Sequence, residues 1–239
     1  MKRWFSASFA AGVLFTAVVV LGVAKLPEAV FRQEDKMLQE SLLQRHREPG
    51  RLAFEGEDLY LLRTLHSRGE LMQNEENGYV PAAPDTAALR AQITPVFNEM
   101  AKAGILPPTI YAELGIIAER DESLTGYYED GAGFIQALYS GEKGGIVHSF
   151  GFEMEPKTGL LVNIWVNTSV EVKEITEGFD KEAAVSAYKS WLGLDILDDW
   201  QDGESSYYDV SEFSQKGLSK LYLLCDGKIL HMGIIALGK

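Results

Sequence analysis

The residues best suited to chemistry are the carboxylates that crowd positions 195–209. Hard cations such as calcium bind several oxygen ligands that converge from a turn. An EF-hand loop started at Asp198 places Gly203 where that motif needs glycine, but Trp200 then occupies a ligand position. The EF-hand spacing therefore fails, and two interpretations stay open: a solvated acidic loop, or another kind of cation site. The candidate metal ligands are Asp198, Asp199, Asp202 and Glu204.

The histidines and the glycine-rich segment match no familiar catalytic or cofactor-binding pattern. His46, His66, His148 and His231 include no pair at i, i+4 and no neighbouring cysteine, so a zinc site is not indicated. The chain has no G-x-S-x-G elbow for a nucleophilic serine. Residues 141–145 predict a hairpin loop rather than a phosphate-binding loop, because no helix follows them. We assign no catalytic residue and no cofactor, and a non-enzymatic role is favoured.

Aromatic residues on the predicted strands are candidates for lining a ligand groove. They are Tyr127, Tyr128, Phe134, Tyr139, Tyr207 and Tyr208. Strand aromatics also pack against helices or pair across strands, so both interpretations remain open. In the last predicted hairpin, His231 is expected to face Tyr222. Cys225 alternates with leucines, which is typical of a small core residue, and one cysteine excludes an internal disulfide.

The N-terminal segment predicts where these residues are placed in the cell. No charged side chain occurs from Trp4 to Ala24, and Lys2 and Arg3 precede this run. A helix of that length spans roughly 30 Å, the thickness of the hydrocarbon core of a bilayer. This favours an uncleaved transmembrane anchor at residues 1–26, which contacts the lipid bilayer through residues 4–24. The alternative is a cleaved signal peptide with Gly22-Val23-Ala24 at the cleavage site, which would make the domain secreted.

Charge gives the expected orientation and limits the partners. Lys2 and Arg3 place the N-terminus in the cytoplasm, so a single-pass protein of the cell membrane with most of its chain extracytoplasmic is expected. The formal net charge of −13 repels nucleic acid, which is therefore not an expected partner. A protein in or near the membrane is the expected partner. Export without disulfides favours a bacterial source.

Composition divides the remaining chain into two parts. Residues 27–79 predict a polar helical stalk followed by a linker, with a short helix at 57–65 and turn-forming residues at 73–84. Residues 80–239 predict an extracytoplasmic α+β domain. The main boundary is expected near residue 80.

Periodicity predicts the elements of this domain. A helix is expected at 85–102, kinked or divided at Pro95, and a second helix after Asp180 that ends at Gly193. Strands are expected at 109–119, 133–139, 206–213, 218–225 and 228–237, and the clearest element is a hairpin at 150–166. Asp226-Gly227 predicts a type I′ turn. The order helix, strands, helix, strands indicates helices packed on an antiparallel sheet, with two similar units at 85–167 and 179–238.

The hairpin carries a resemblance to a known family. Its sequence is Phe150-Gly151-Phe152-Glu153-Met154-Glu155-Pro156-Lys157-Thr158-Gly159-Leu160-Leu161-Val162. This resembles the closing hairpin D-x-x-T-G of PepSY-type extracytoplasmic domains, with Glu155 in place of the aspartate and with Thr158-Gly159 matching. The first helix carries Pro95, and the second unit has Asp226-Gly227 in place of Thr-Gly, which depart from the family. The resemblance implies a small non-enzymatic domain with a binding, inhibitory or regulatory role, and it assigns no catalytic residue.

Together these observations predict a membrane-anchored, non-catalytic domain that binds or regulates a protein partner at the cell surface. Two alternatives remain. One is a hydrolase that uses carboxylates at a groove of the sheet. The other is a module that binds cations or cell wall through the acidic loop 195–209.

Overall fold

The computed structural model describes residues 59–72, 78–141, 145–169, 171, 178–203 and 207–237, within which four α-helices pack on a nine-stranded antiparallel sheet. The predicted α+β class is confirmed. No helix in these ranges is both long and apolar enough to cross a membrane. The apolar run 4–24, most of the predicted stalk and Glu204 lie outside the described residues.

Local signals determine where two of the helices begin. The helices are α1 (Tyr60–Leu71), α2 (Thr86–Lys102), α3 (Pro108–Ala118) and α4 (Lys181–Trp191). Asp85 caps α2 and Asp180 caps α4, because each carboxylate accepts hydrogen bonds from amides of the first turn. Gly193 follows α4 with a φ of 72°, a left-handed conformation that glycine adopts readily.

One helix was predicted as a strand, and for a second helix one of the two expected forms is excluded. Residues 109–119 were expected to form a strand. This prediction is wrong, because the segment forms α3. Ile110, Leu114 and Ile117 are buried at helical spacing, and Pro108 begins the helix where its missing N–H group is no loss. Pro95 lies inside α2 without dividing it. Because this side of α2 is exposed, water can bind the carbonyl that the proline leaves without a donor.

The sheet has the strand order β1-β2-β3-β4-β5-β9-β8-β7-β6. Its strands are β1 (Val80–Pro81), β2 (Leu124–Glu129), β3 (Ile135–Ser140), β4 (Val147–Met154), β5 (Leu161–Thr168), β6 (Trp200–Asp202), β7 (Val210–Ser214), β8 (Ser219–Cys225) and β9 (Ile229–Ala236). At its centre β5 pairs with β9, with Trp165 opposite His231. This pairing joins the early strands to the late ones. The sequence did not predict β1, β2 or β6.

Helices α2, α3 and α4 cover one face of the sheet. Phe97 of α2 packs edge-on against Phe150 and Phe152 of β4, with ring centroids 5.9 and 6.2 Å apart. The buried Tyr188 of α4 donates a hydrogen bond of 2.8 Å to the carbonyl of Leu161. Buried apolar residues from both ends of the sheet belong to the same core. This face is therefore filled.

The turn of the predicted hairpin explains why β4 and β5 meet there. Glu155 accepts hydrogen bonds from the Thr158 amide at 2.7 Å, from its hydroxyl at 2.6 Å, from the Lys157 amide at 3.1 Å and from the Tyr60 hydroxyl at 3.0 Å. Burial acts to raise the pKa of Glu155, but these hydrogen bonds outweigh it and lower the pKa. Gly159 completes the turn with a φ of 73°. The Glu155 carboxylate thus accepts the hydrogen bonds of the turn amides in place of backbone carbonyls.

The last hairpin turn differs in type from the prediction. A type I′ turn needs two residues with positive φ, whereas only Gly227, with a φ of 89°, has one at this turn. Asp226 instead accepts hydrogen bonds from the amides of Lys228 and Ile229. The aspartate side chain therefore stabilises this turn, and the type I′ prediction is wrong.

Helix α1 is joined to the domain, although the sequence assigned residues 27–79 to a stalk and linker. Its Leu61, Leu62 and Leu65 are buried in the common core. Arg68 donates to Asp130 at 2.7 Å and to Glu153 at 3.1 Å, and the Asp130 side chain is fully buried. The compact unit that includes the described residues runs over Leu52–Gly238. Among the described residues, α1 therefore packs in the same core as residues 80–237.

Candidate binding face

The face of the sheet opposite α2, α3 and α4 carries polar and aromatic side chains, and we call it the polar face. Along β5, Ile164 and Val166 are buried on the helix side, whereas the alternate residues Asn163 and Trp165 are partly exposed on the polar face. The residues at its centre are Asn163, Trp165, Lys220, Tyr222 and His231, from β5, β8 and β9.

Two glycines hold aromatic rings close against this face. Trp165 lies opposite Gly151, and Tyr222 lies opposite Gly233. A Cβ added to Gly151 would lie 2.4 Å from Cζ2 of Trp165, and one added to Gly233 would lie 2.7 Å from the Tyr222 hydroxyl. Both distances are shorter than real Cβ atoms allow. The rings can occupy these positions only because the opposite residues have no side chain.

His231 connects the two central strands through side-chain hydrogen bonds. Its Nε2 lies 2.8 Å from Oδ1 of Asn163 and 3.0 Å from the Tyr222 hydroxyl. Because an amide oxygen only accepts, the contact with Asn163 places the imidazole proton on Nε2. Burial lowers the pKa of His231, and the charge of Glu153 opposes this in part. Burial therefore favours the neutral form of the imidazole. The expected contact between His231 and Tyr222 is present, although in register Tyr222 pairs with Gly233.

The row of side chains continues toward β7. The rings of Tyr208 and Tyr222 lie 4.5 Å apart, and the Lys220 ammonium lies 4.9 Å from the centroid of the Tyr208 ring. Burial raises the pKa of Tyr222 and lowers that of Lys220. On the other side, Trp165 meets His231 edge-on at 6.3 Å. These four rings and one lysine are neighbours in space, and we call them the aromatic row: Trp165, His231, Tyr222, Tyr208 and Lys220.

Carboxylates near the sheet are held by other groups. Arg68 binds both Asp130 and Glu153, and it also donates to the hydroxyl of Tyr79. Asp130 further accepts from the amide of Phe134 at 2.9 Å. Both carboxylates therefore accept hydrogen bonds from the Arg68 guanidinium. They do not bring an acid into bonding distance of the His231 imidazole.

Two candidate metal ligands of the acidic loop, Asp198 and Asp199, are bonded to other groups. Asp198 is paired with Lys216, and Asp199 accepts from the Ser214 hydroxyl at 2.7 Å and from the Lys216 amide at 2.6 Å. Asp202 ends β6. Among the described residues, no group of three His, Cys, Asp or Glu side chains could hold a metal ion. Glu204 lies outside those residues, so the cation site stays a prediction.

The aromatic residues predicted to line a groove have different positions. Those in the core or packed against it are Tyr127, Phe134 and Tyr139. Tyr128 is partly exposed on β2. Tyr208 belongs to the aromatic row, and Tyr207 packs on it with ring centroids 5.0 Å apart.

Sequence reasoning missed Asn163, Trp165 and Lys220. A signal was present along β5, where large polar or aromatic residues alternate with buried ones. The meeting of the three residues depends on the pairing of β5 with β9, which joins segments about 65 positions apart. Local patterns do not encode that pairing.

No known protein family, curated protein or solved structure matches this chain. The candidate site therefore rests on its residues and their geometry.

Proposed function

We propose that this chain is a non-catalytic extracytoplasmic domain, anchored in the cell membrane by residues 4–24, which binds or regulates a protein partner through its polar face. The observation that carries the proposal is the aromatic row on the face opposite α2, α3 and α4, where the rings of Trp165 and Tyr222 are fixed over glycines. Side chains already held in place lose little conformational freedom when a partner binds. Aromatic residues are also enriched in protein interfaces.

The hydrogen bonds of the polar face favour binding over catalysis. His231 is bonded to an amide and a phenol, and no carboxylate of the described residues orients it as a general base. Burial also lowers its pKa. Asp130 and Glu153, which a hydrolase would need free, are bound to Arg68. The hydrolase and the cation- or cell-wall-binding module at 195–209 remain the alternative proposals.

The strand order supports the proposal of two similar units, at 85–167 and 179–238. From β2 to β6 it is symmetric about the central pair, since β2-β3-β4-β5 is followed by β9-β8-β7-β6. At least one helix precedes each set of four strands. This arrangement, with the turn bonded by Glu155 and Thr158, also fits a PepSY-like domain in tandem.

Photocrosslinking from the polar face tests partner binding. Ile235 lies on this face and is 38% exposed, so p-benzoylphenylalanine placed there in the full-length chain should capture one specific protein in native membranes. The matched control is Ile116 on α3, which is 52% exposed and faces away from the sheet's polar side. Identical or absent products from the two positions would overturn the proposed binding face.

Localisation is tested separately. Protease added to intact cells should digest the domain, while the mass of the mature N-terminal peptide should include residues 4–24. An N-terminus after Ala24 would replace the anchor with a secreted form, and protection of the whole domain would overturn the extracytoplasmic location.

A further inference from the structure

Lys220 is a largely buried lysine on the polar face. It lies two residues before Tyr222 on β8, so both side chains project from the same face. Only 9% of Lys220 is exposed. Its ammonium is directed to the ring of Tyr208, which in turn packs on Tyr222. A cation–π contact of this kind holds the ammonium in one place but does not neutralise it.

Unlike Arg68 and Lys189, Lys220 has no acid paired with it among the described residues. Arg68 is paired with Asp130, and Lys189 with Glu212 at 2.5 Å. Burial of Lys220 disfavours its charged form and so lowers its pKa. The lack of a paired acid among the described residues is unexpected in a chain with 35 acidic and 22 basic residues.

We propose that Lys220 is the subsite for a carboxylate of the partner, carried on an extended acidic peptide segment that lies over Lys220 and the neighbouring Ile235. The inference rests on the proposed function and adds the chemistry of the partner. Charge complementarity carries it, because an anion supplied from outside would give the Lys220 ammonium a counter-charge that no carboxylate in the described part of the chain supplies.

Neighbouring residues favour a peptide over a saccharide. Saccharides stack on bare aromatic faces, but Tyr222 is only 4% exposed and the Tyr208 ring is already in contact with Tyr222 and Lys220. Ile235 pairs with Lys220 in the sheet and is 38% exposed. An apolar contact beside a charged one suits the side chains of a peptide.

Two peptides that differ only in charge test the subsite. The full-length chain is titrated with Ac-(Gly-Ser-Glu)4-NH2 and with its isosteric glutamine counterpart, and binding is followed by NMR of the Lys220 side chain. The glutamate peptide should bind at least tenfold more tightly and should raise the Lys220 pKa, since a bound carboxylate favours the ammonium form. Lys220→Gln should remove the preference for glutamate.

Lys228→Gln is the matched control, because Lys228 is an exposed lysine on the turn after β8, and it should leave the preference unchanged. Equal binding of both peptides, or an unchanged preference in Lys220→Gln, would overturn the subsite while leaving the Ile235 crosslink, and so the proposed function, intact. Sodium acetate that shifts Lys220 as effectively as the peptide at equal carboxylate concentration would also overturn it, in favour of a small-anion site.

Discussion

A methyl group at position 233 would meet two side chains at once. In Gly233→Ala the new Cβ would lie 2.7 Å from the Tyr222 hydroxyl and 3.0 Å from Oδ1 of Asn163. The hydroxyl must move, which disturbs its hydrogen bond with His231. We expect the free energy of unfolding to fall by about 1–3 kcal/mol, as is usual for overpacking. Urea denaturation measures this loss.

Gly69 provides the control for that substitution. It lies in α1 with no atom within 4 Å of an added Cβ. Because alanine restricts the unfolded chain and favours helix, Gly69→Ala should stabilise the protein by roughly 0.5–1 kcal/mol. Equal urea midpoints for Gly233→Ala and the wild type would contradict the packing described for the polar face.

The pH dependence of stability follows from His231. Burial lowers its folded-state pKa below the ordinary value of 6.5, so the unfolded chain binds a proton more readily than the folded one. The stability that depends on neutral His231 is therefore complete above pH 6.5 and is lost as the pH falls through the folded-state pKa. Unfolding of the wild type and of His231→Gln should be measured from pH 8 to 5. The variant should show the smaller loss, and parallel curves would refute this role.

At the scale of an element, Arg68 attaches α1 to the sheet. Arg68→Met would leave the fully buried Asp130 carboxylate without its cation. Removing one partner of a buried ion pair costs about 3–5 kcal/mol, so a clear drop in Tm is expected. Hydrogen exchange should also accelerate in α1, whose leucines would pack less firmly. The exposed Lys228→Met should change stability by no more than about 0.5 kcal/mol, and slow exchange in α1 of Arg68→Met would contradict the role of Arg68.

Elements with local signals were predictable from the sequence. The helices that follow Asp85 and Asp180 were found because an aspartate cap acts within one turn. The β4–β5 hairpin was found because Glu155, Thr158 and Gly159 build its turn from adjacent residues.

Elements without such signals were missed. Segment 108–118 has apolar residues that fit a short strand or a buried helix, and α3 is selected by packing on β3 and β4. β6 has only three residues, too few for a period to show. Within the candidate site, the Tyr222–His231 contact could be predicted from the sequence because one short turn joins their strands. The positions of Trp165 and Lys220 beside it require long-range pairing.

For the whole molecule, one core joins the early and late strands. Buried residues from α1 to β9 form a single cluster, so the described domain should unfold in one cooperative transition. Trp165 reports on β5, in the first half, and Trp200 on β6, in the second. In variants that keep one of these tryptophans and replace the others by phenylalanine, fluorescence and circular dichroism should give the same urea midpoint. A separate midpoint for either tryptophan would show that the halves unfold independently.

The outermost strands have a consequence for self-association. β1 contains two residues, one of them the proline Pro81, which has no N–H group, and β6 contains three. Edge strands that are short or contain proline offer another chain few backbone groups for strand addition. Many copies held close together would therefore resist polymerising into fibres, and a partner would have to recognise the domain by its side chains.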